Sequence, residues 1–393
     1  MTVEDSRFVD RAPAKPARGD EIVVTSDLDA AIAFIQDLGA DQISTAFQSR
    51  LWLECWVEKL ARPRGITPLF CLVRSAEGQA LLLLPLGLRT SRGLRIIEGA
   101  DLGVSDYVAP VMASGFMPTP SEWERLWRRI VAGLPPHDVL RLTKVPLDIS
   151  GRPNPLASSP GHLALELQAH GVAVSAPWDA CARQIFSRNR REKLKKGWRE
   201  LATFGEVRFR AVTDATEMAR LFEQLAAQRL QRFAALQRSD SLRHPDLLDF
   251  YRAIVTRGAE PGFARLTLIE IDGQPIAMLF GVCHGNAFHL LIPTFFDGPW
   301  TQLGPGMLLS ARSMQWAAEA GLTYYDFTVG NEDYKERLGA TAHGLVEIVA
   351  AGSWRGLPVV SAIRLKAWIK RQPQLLAAIR KMRNLAASRT GIR

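Results

Sequence analysis

Three apolar runs of strand length stand side by side at 264–271, 275–283 and 287–293, joined by the two-residue connections Asp272-Gly273 and Gly285-Asn286. Asp-Gly supplies the positive φ angles of the turn that matches strand twist, so the stretch reads as an antiparallel meander. A glycine-rich turn follows, Leu303-Gly304-Pro305-Gly306, and a helical pattern opens at Met307 and runs to about 320. Upstream lie a strongly basic helix at 179–202, a strand at 206–212, with Val207, Phe209 and Ala211 alternating, and a helix from 215 to about 236 capped by Asp214. A further helix over 244–259 has Pro245 in its first turn. Downstream come a strand at 323–327, a short helix at 332–338 and a strand at 345–350. The order β-α-α-β-β-β-α-β-α-β predicts a mixed α/β fold built on one mixed sheet.

The first half reads as a second mixed α/β unit. Helices are expected at 28–38, capped by Ser26 or Asp27, and at 49–60, where Leu51, Trp52, Trp56 and Leu60 share a face. Strands are expected at 66–73, 80–88 and 94–97, with a weaker one at 107–112. A Trp-rich helix capped by Ser121 runs to about 132, and a strand follows at 139–143. Pro146, Pro153, Pro155 and Pro160 with Gly151 then interrupt regular structure. The expected domains are therefore an arm at 1–20, a first domain at 21–150, a second at 151–355 and a basic tail at 356–393, with 162–178 as lead-in strands to the second.

The net charge of +9 is unevenly placed. Residues 361–393 hold nine basic and no acidic side chains, leaving 40 basic against 40 acidic elsewhere. A neutral body argues against a nucleic-acid-binding face. No apolar run reaches the roughly 20 residues of a membrane span, and no export signal opens the chain, so a cytoplasmic location is expected. Beyond Pro373, Leu375, Leu376, Ile379, Met382 and Leu385 repeat at helical spacing among Arg380, Lys381 and Arg383. That pattern suits either peripheral contact at the inner membrane or with a synthase, or packing on the chain's own body. The four cysteines show no metal-ligand spacing, so no metal is expected. Neither a GxSxG elbow nor an HExxH motif occurs.

Three stretches carry a family resemblance: Ser187-Arg188-Asn189-Arg190-Arg191-Glu192-Lys193-Leu194, Gly304-Pro305-Gly306-Met307-Leu308-Leu309, and the run from Tyr325-Asp326-Phe327 through Gly330 to Tyr334-Lys335. With the element order, they resemble the GNAT acyltransferases, and in particular the CelD-like branch associated with cellulose and exopolysaccharide synthesis. Phe47-Gln48-Ser49-Arg50-Leu51-Trp52-Leu53 resembles that branch's first helix start. The resemblance implies two tandem GNAT-like folds, as in the FemABX peptidyltransferases, the first degenerate. It further implies acetyl-CoA or another acyl-CoA as cosubstrate, and an amine or hydroxyl acceptor on a sugar, glycan precursor or small amine. Two alternatives stay open: aminoacyl or peptidyl transfer of the FemABX type, and a non-catalytic accessory module of a polysaccharide synthase.

The resemblance also implies roles for residues. Leu303, Gly304, Gly306, Met307 and Leu308 would hold the CoA diphosphate on helix-end amides, although Thr301 stands where the family carries Gln or Arg and Pro305 removes one donor. Strand amides near Leu291 and Ile292 would meet the thioester carbonyl. Tyr334 would protonate the leaving thiolate, a transfer from a group of pKa about 10 to one of about 8.5. Asp326 would orient the amine or serve as a cap. His289, expected on the face opposite Phe288 and Leu290, is the histidine best placed to act as base; His284, Glu270 and Glu332 are further candidates. Arg188, Arg190, Arg191 and Lys335 are candidate phosphate or substrate ligands, or else members of a solvated face.

Overall fold

The computed structural model describes residues 19–372. A single 13-stranded sheet runs through the chain. Its strands are β1 (Glu21–Thr25), β2 (Thr67–Arg74), β3 (Ala80–Ser91), β4 (Leu94–Gly99), β5 (Val139–Pro146), β6 (His162–Ala173), β7 (Val207–Val212), β8 (Ala264–Ile271), β9 (Gln274–His284), β10 (Ala287–Phe295), β11 (Tyr324–Val329) and β12 (Thr341–Ala351). A two-residue strand, Val111–Met112, pairs with β3. The spatial order is β1-β2-β3-β4-β5-β12-β6-β11-β10-β9-β8-β7.

That order is a palindrome. Each end is an antiparallel meander of four strands. Each meander then makes one short parallel step, Ile96–Glu98 against Val139–Arg141 on one side and Ala287–His289 against Tyr324–Asp326 on the other. The sixth strand of each half is exchanged: β6 follows β5 in sequence but pairs with β11, and β12 follows β11 but pairs with β5. β6 and β12 pair with each other at the centre. The boundary expected at 150/151 thus falls in the connection that launches an exchanged strand.

Local sequence explains most elements. Asp272 (φ 49°) and Gly273 (φ 76°) both take positive φ at the β8–β9 turn, as an Asp-Gly hairpin requires. The helix Ala215–Ala235 (α6) is capped by Asp214, which accepts from the Glu217 amide at 2.7 Å. Three expectations are corrected. The single basic helix is two, Trp178–Ile185 and Arg188–Leu201, because Phe186 is extended and buried and Ser187 starts a new cap. Thr119, not Ser121, caps Pro120–Gly133, with Glu122 closing a capping box. The 107–112 segment is mostly loop, leaving Val111–Met112 as its only strand.

One apolar core spans both halves. Trp52, from the helix Arg50–Trp56, meets Phe250 of the helix Pro245–Gly258 edge-on at 4.9 Å between ring centroids. Phe47, Trp52, Trp56, Phe222 and Phe280 join the same cluster. The opposite face of the second half is covered by the helices Arg188–Leu201 (α5) and Pro305–Glu319 (α8). Gly197 lets the two approach closely, since a Cβ there would lie 3.0 Å from Leu308. A shared core fixes the position of one half on the other, and with it the cleft between them.

Candidate active site

The last paired rung of the parallel step is His289 against Asp326; beyond it β10 and β11 part. Alternation sends Phe288, Leu290, Tyr325 and Phe327 to the α8 face. His289 lies on the other face, where the Phe47 ring stands 5.9 Å away. His289 Nδ1 lies 2.8 Å from Asp326 Oδ2. Asp326 Oδ1 accepts from Tyr107 Oη at 2.9 Å and from the Thr328 amide at 2.7 Å. Donors converge on both oxygens, the complement of an ionised carboxylate, which only accepts. An Nδ1–H directed at Asp326 leaves Nε2 with a free lone pair. Thr328 (φ 57°) closes the parting strands, its Oγ1 donating to Leu290 O at 3.0 Å.

Tyr107 comes from the first half. Gln48 Nε2 donates to its carbonyl at 2.9 Å, and the Phe47 ring packs on it at 5.5 Å. Burial, reinforced by the nearby Asp326 and Asp106 charges, raises its phenol well above the ordinary value, so it acts as a donor. Asp106, half-buried beside it, is pushed up to about 6, chiefly by desolvation and against the pull of Lys144.

His289, Asp326 and Tyr107 line a cleft of about 640 Å³ between the halves. Asp41 and Asp148 from the first half, with His284, Tyr324 and His343, form other parts of its wall, and no Lys or Arg lines it among the described residues. His284 Nε2 lies 2.8 Å from Ser44 Oγ. Burial first, and then His289, lowers His284 to about 4, so it is neutral. Gln42, also in the wall, buries an Oε1 without a hydrogen-bond partner among the described residues.

The remaining expected residues lie elsewhere. Tyr334 packs on Phe327 at 6.2 Å, on the α8 face, and burial raises its phenol far above the usual range. Lys335 turns inward rather than out toward a phosphate. It is 2% exposed, and its Nζ donates to Thr328 O and Gly330 O, both at 3.2 Å, beside Glu332 at 3.0 Å. At the glycine turn the amides of Leu303, Gly304, Met307 and Leu308 already bond to Trp300, Thr301, Gly304 and Gly304 carbonyls respectively. Gly306 keeps the one amide of the turn with no backbone partner among the described residues. Arg190 reaches this turn, Nη1 lying 3.5 Å from Met307 Sδ, whereas Arg191 bonds Phe186 O and Arg188 is exposed. A diphosphate here would meet one amide and the α5 guanidinium groups, a narrower set than a ring of helix-end amides.

The free edge of β10 is similarly occupied. Leu291 is half-buried and Ile292 buried, both packing in the shared core. Pro293 has no amide; its carbonyl accepts from Arg229 Nη1 at 2.8 Å, and Phe295 O accepts from Gln228 Nε2 at 3.3 Å. Glu270 pairs with Arg210 at 3.1 Å, away from the cleft. Sequence reasoning misses Tyr107 and Asp106 because they sit in a loop without periodicity. The Phe47-Gln48 segment carries a recognisable pattern, but nothing in that pattern tells that it grips this loop. The tail pattern at 375–385 lies outside the described residues, and among the described residues no helix is long and apolar enough to cross a membrane.

Residues 188–336 match the family model described as an acetyltransferase (GNAT) domain. No curated protein sequence matches the chain. Among solved structures, FemX shares 13% identity at a TM-score of 0.55, over 87% of this chain and 99% of FemX. A conserved protein of unknown function from Bacteroides thetaiotaomicron VPI-5482 shares 10% identity at 0.50, over 84% and 99% of the two chains. A tandem GNAT protein from the clavulanic acid biosynthesis pathway shares 14% identity at 0.45, over 85% and 99%. The fold is GNAT-like, a mixed α/β architecture on a large mixed sheet.

Proposed function

We propose that this chain transfers an acyl group from a thioester, acetyl-CoA or another acyl-CoA, to an amine acceptor held in the cleft between its halves. The observation that carries this reading is the His289–Asp326 couple, set where β10 and β11 part and open to that cleft. Asp326 holds the imidazole, with Tyr107 and the Thr328 amide fixing the carboxylate in turn. His289 Nε2 then takes the proton that the acceptor nitrogen sheds on attack, a contribution of about 10²–10⁴ in rate. The thioester supplies the activated carbonyl and a thiolate leaving group. Tyr334 lies on the opposite face of the sheet with its phenol raised far above the usual range, so it is a poor acid and the departing thiolate takes its proton from solvent; Arg188, Arg190 and the Gly306 amide are the groups available to a diphosphate.

The cleft wall favours a cationic acceptor. Asp41, Asp148 and Asp326 contribute carboxylates, Gln42 a buried acceptor oxygen, and among the described residues neither Lys nor Arg opposes them. A small amine or amino sugar fits that wall better than the phosphorylated or polyanionic glycan that the basic helix α5 alone would suggest.

The decisive measurement is release of free thiol from acetyl-CoA in the presence of a panel of amines and amino sugars. Acceptor-dependent release that falls about 100-fold in His289→Ala supports the reading; release indifferent to that substitution would end it.

A second reading, aminoacyl or peptidyl transfer without free CoA, is favoured by one observation: the parting edge of β10 lacks an amide at Pro293 and has its carbonyls covered by Arg229 and Gln228. A thermal shift with aminoacyl-tRNA but none with CoA would select it.

A further inference from the structure

Ten large apolar side chains are exposed among the described residues, and four of them crowd into one short stretch: Trp354 (79% exposed), Leu357, Leu365 and Trp368. Leu357, Leu365 and Trp368 belong to the helix Leu357–Lys370 (α10). At 100° per residue their offsets of eight and eleven positions bring them onto one stripe. The helix is docked by a different side: Val360 is buried, and Val359 and Ile363 pack with it against Val139 and Val349. α10 thus has an apolar face turned to the sheet and a second apolar face turned away.

The charge around this second face has one sign. From Ile348 to Arg393 the chain contains ten Lys and Arg and no Asp or Glu. Arg364 and Arg371 border the stripe, Arg355 stands beside Trp354, and all three are exposed; Lys366 and Lys370 lie toward the docked side, where Lys370 reaches Glu166. We infer that this face of α10 seats the protein on an anionic lipid bilayer, with Trp354 and Trp368 at headgroup depth and the basic side chains over lipid phosphates. A stripe of Trp and Leu bordered by Arg is the composition of an interfacial surface. The two protein occupants suit the charge less well. Residues 373–393 carry five further basic and no acidic side chains, and a second copy of α10 would bring like charges together. This inference is independent of the acyl-transfer reading.

The test uses the full chain and vesicle co-sedimentation. Vesicles of phosphatidylcholine containing phosphatidylglycerol should carry the protein down, and vesicles of phosphatidylcholine alone should do so about tenfold less or weaker still. Raising the salt should release it. The double variant Trp354→Ser/Trp368→Ser should partition about tenfold less with an unchanged melting temperature, since both rings are exposed. Failure to sediment with either vesicle would overturn the inference. So would undiminished binding of the double variant, which would move the contact to residues 373–393. A dimer in gel filtration that the double variant dissolves would overturn it in favour of a second copy.

Discussion

Tyr107 and Asp326 are 219 positions apart in sequence, yet the phenol of one donates to the carboxylate of the other at 2.9 Å in a buried setting. The first half thus contributes a side chain to the site of the second. It does so through a loop that Gln48 and Phe47 hold in place. This contact makes the first half a structural part of the candidate site.

Tyr107→Phe keeps the ring and removes the donor. A hydrogen bond to a charged group is worth about 1.5–3 kcal/mol, so chemical denaturation should show a loss of that order. Under the acyl-transfer reading, kcat should fall while KM for the amine changes little, because the phenol hydrogen is committed to Asp326.

His289→Gln should separate structure from chemistry. The amide can still donate toward Asp326 but cannot take a proton, so the melting temperature should stay close to that of the wild type while kcat falls about 100-fold. A loss of fold, read by circular dichroism, would instead make His289 a packing residue against Phe47.

Asp106 gives a pH-dependent prediction. Burial raises its carboxyl from 3.8 to about 6, so the folded state binds its proton more tightly than the unfolded chain does. The resulting destabilisation is complete above pH 6 and vanishes below about pH 4. Asp106→Asn should therefore melt higher than the wild type at pH 7.5 and at the same temperature at pH 4. His284, lowered from 6.5 to about 4 by burial and His289, acts in the opposite sense: it costs stability as pH falls through that window. The variant-minus-wild-type difference isolates Asp106.

Lys335→Met removes the ammonium that ties Thr328 O and Gly330 O together from within. Leaving those carbonyls without their charged donor should cost about 2 kcal/mol in denaturant unfolding. Because Thr328 also supplies an amide to Asp326, activity should fall further than stability alone explains. Lys335→Arg, with a wider head, should not restore it.

Much of this architecture is legible in the amino-acid sequence. Asp272-Gly273 specifies a hairpin because few other dipeptides take positive φ at both central positions. Strand alternation puts His289 opposite Phe288, and Asp326 opposite Tyr325 and Phe327, so the couple's shared face follows from period two. The strand exchange is not legible: the apolar run in β12 would pair as well beside β11 as beside β5, and nothing local chooses. Nor is the state of the glycine turn. Gly304 and Gly306 announce a helix start, but not that four nearby amides are already bonded within it. Lys335 reads as a surface cation because its inward partners are backbone carbonyls, which every sequence has.

The exchange of β6 and β12 ties the fates of the two halves together. Cutting the chain near residue 150 would leave both β6 and β12 in the second fragment, so the first would expose the edge of β5 and the second the edge of β12, each a row of unpaired amides and carbonyls. Each piece expressed alone should aggregate through its open edge, and co-expressed pieces should find each other and reassemble.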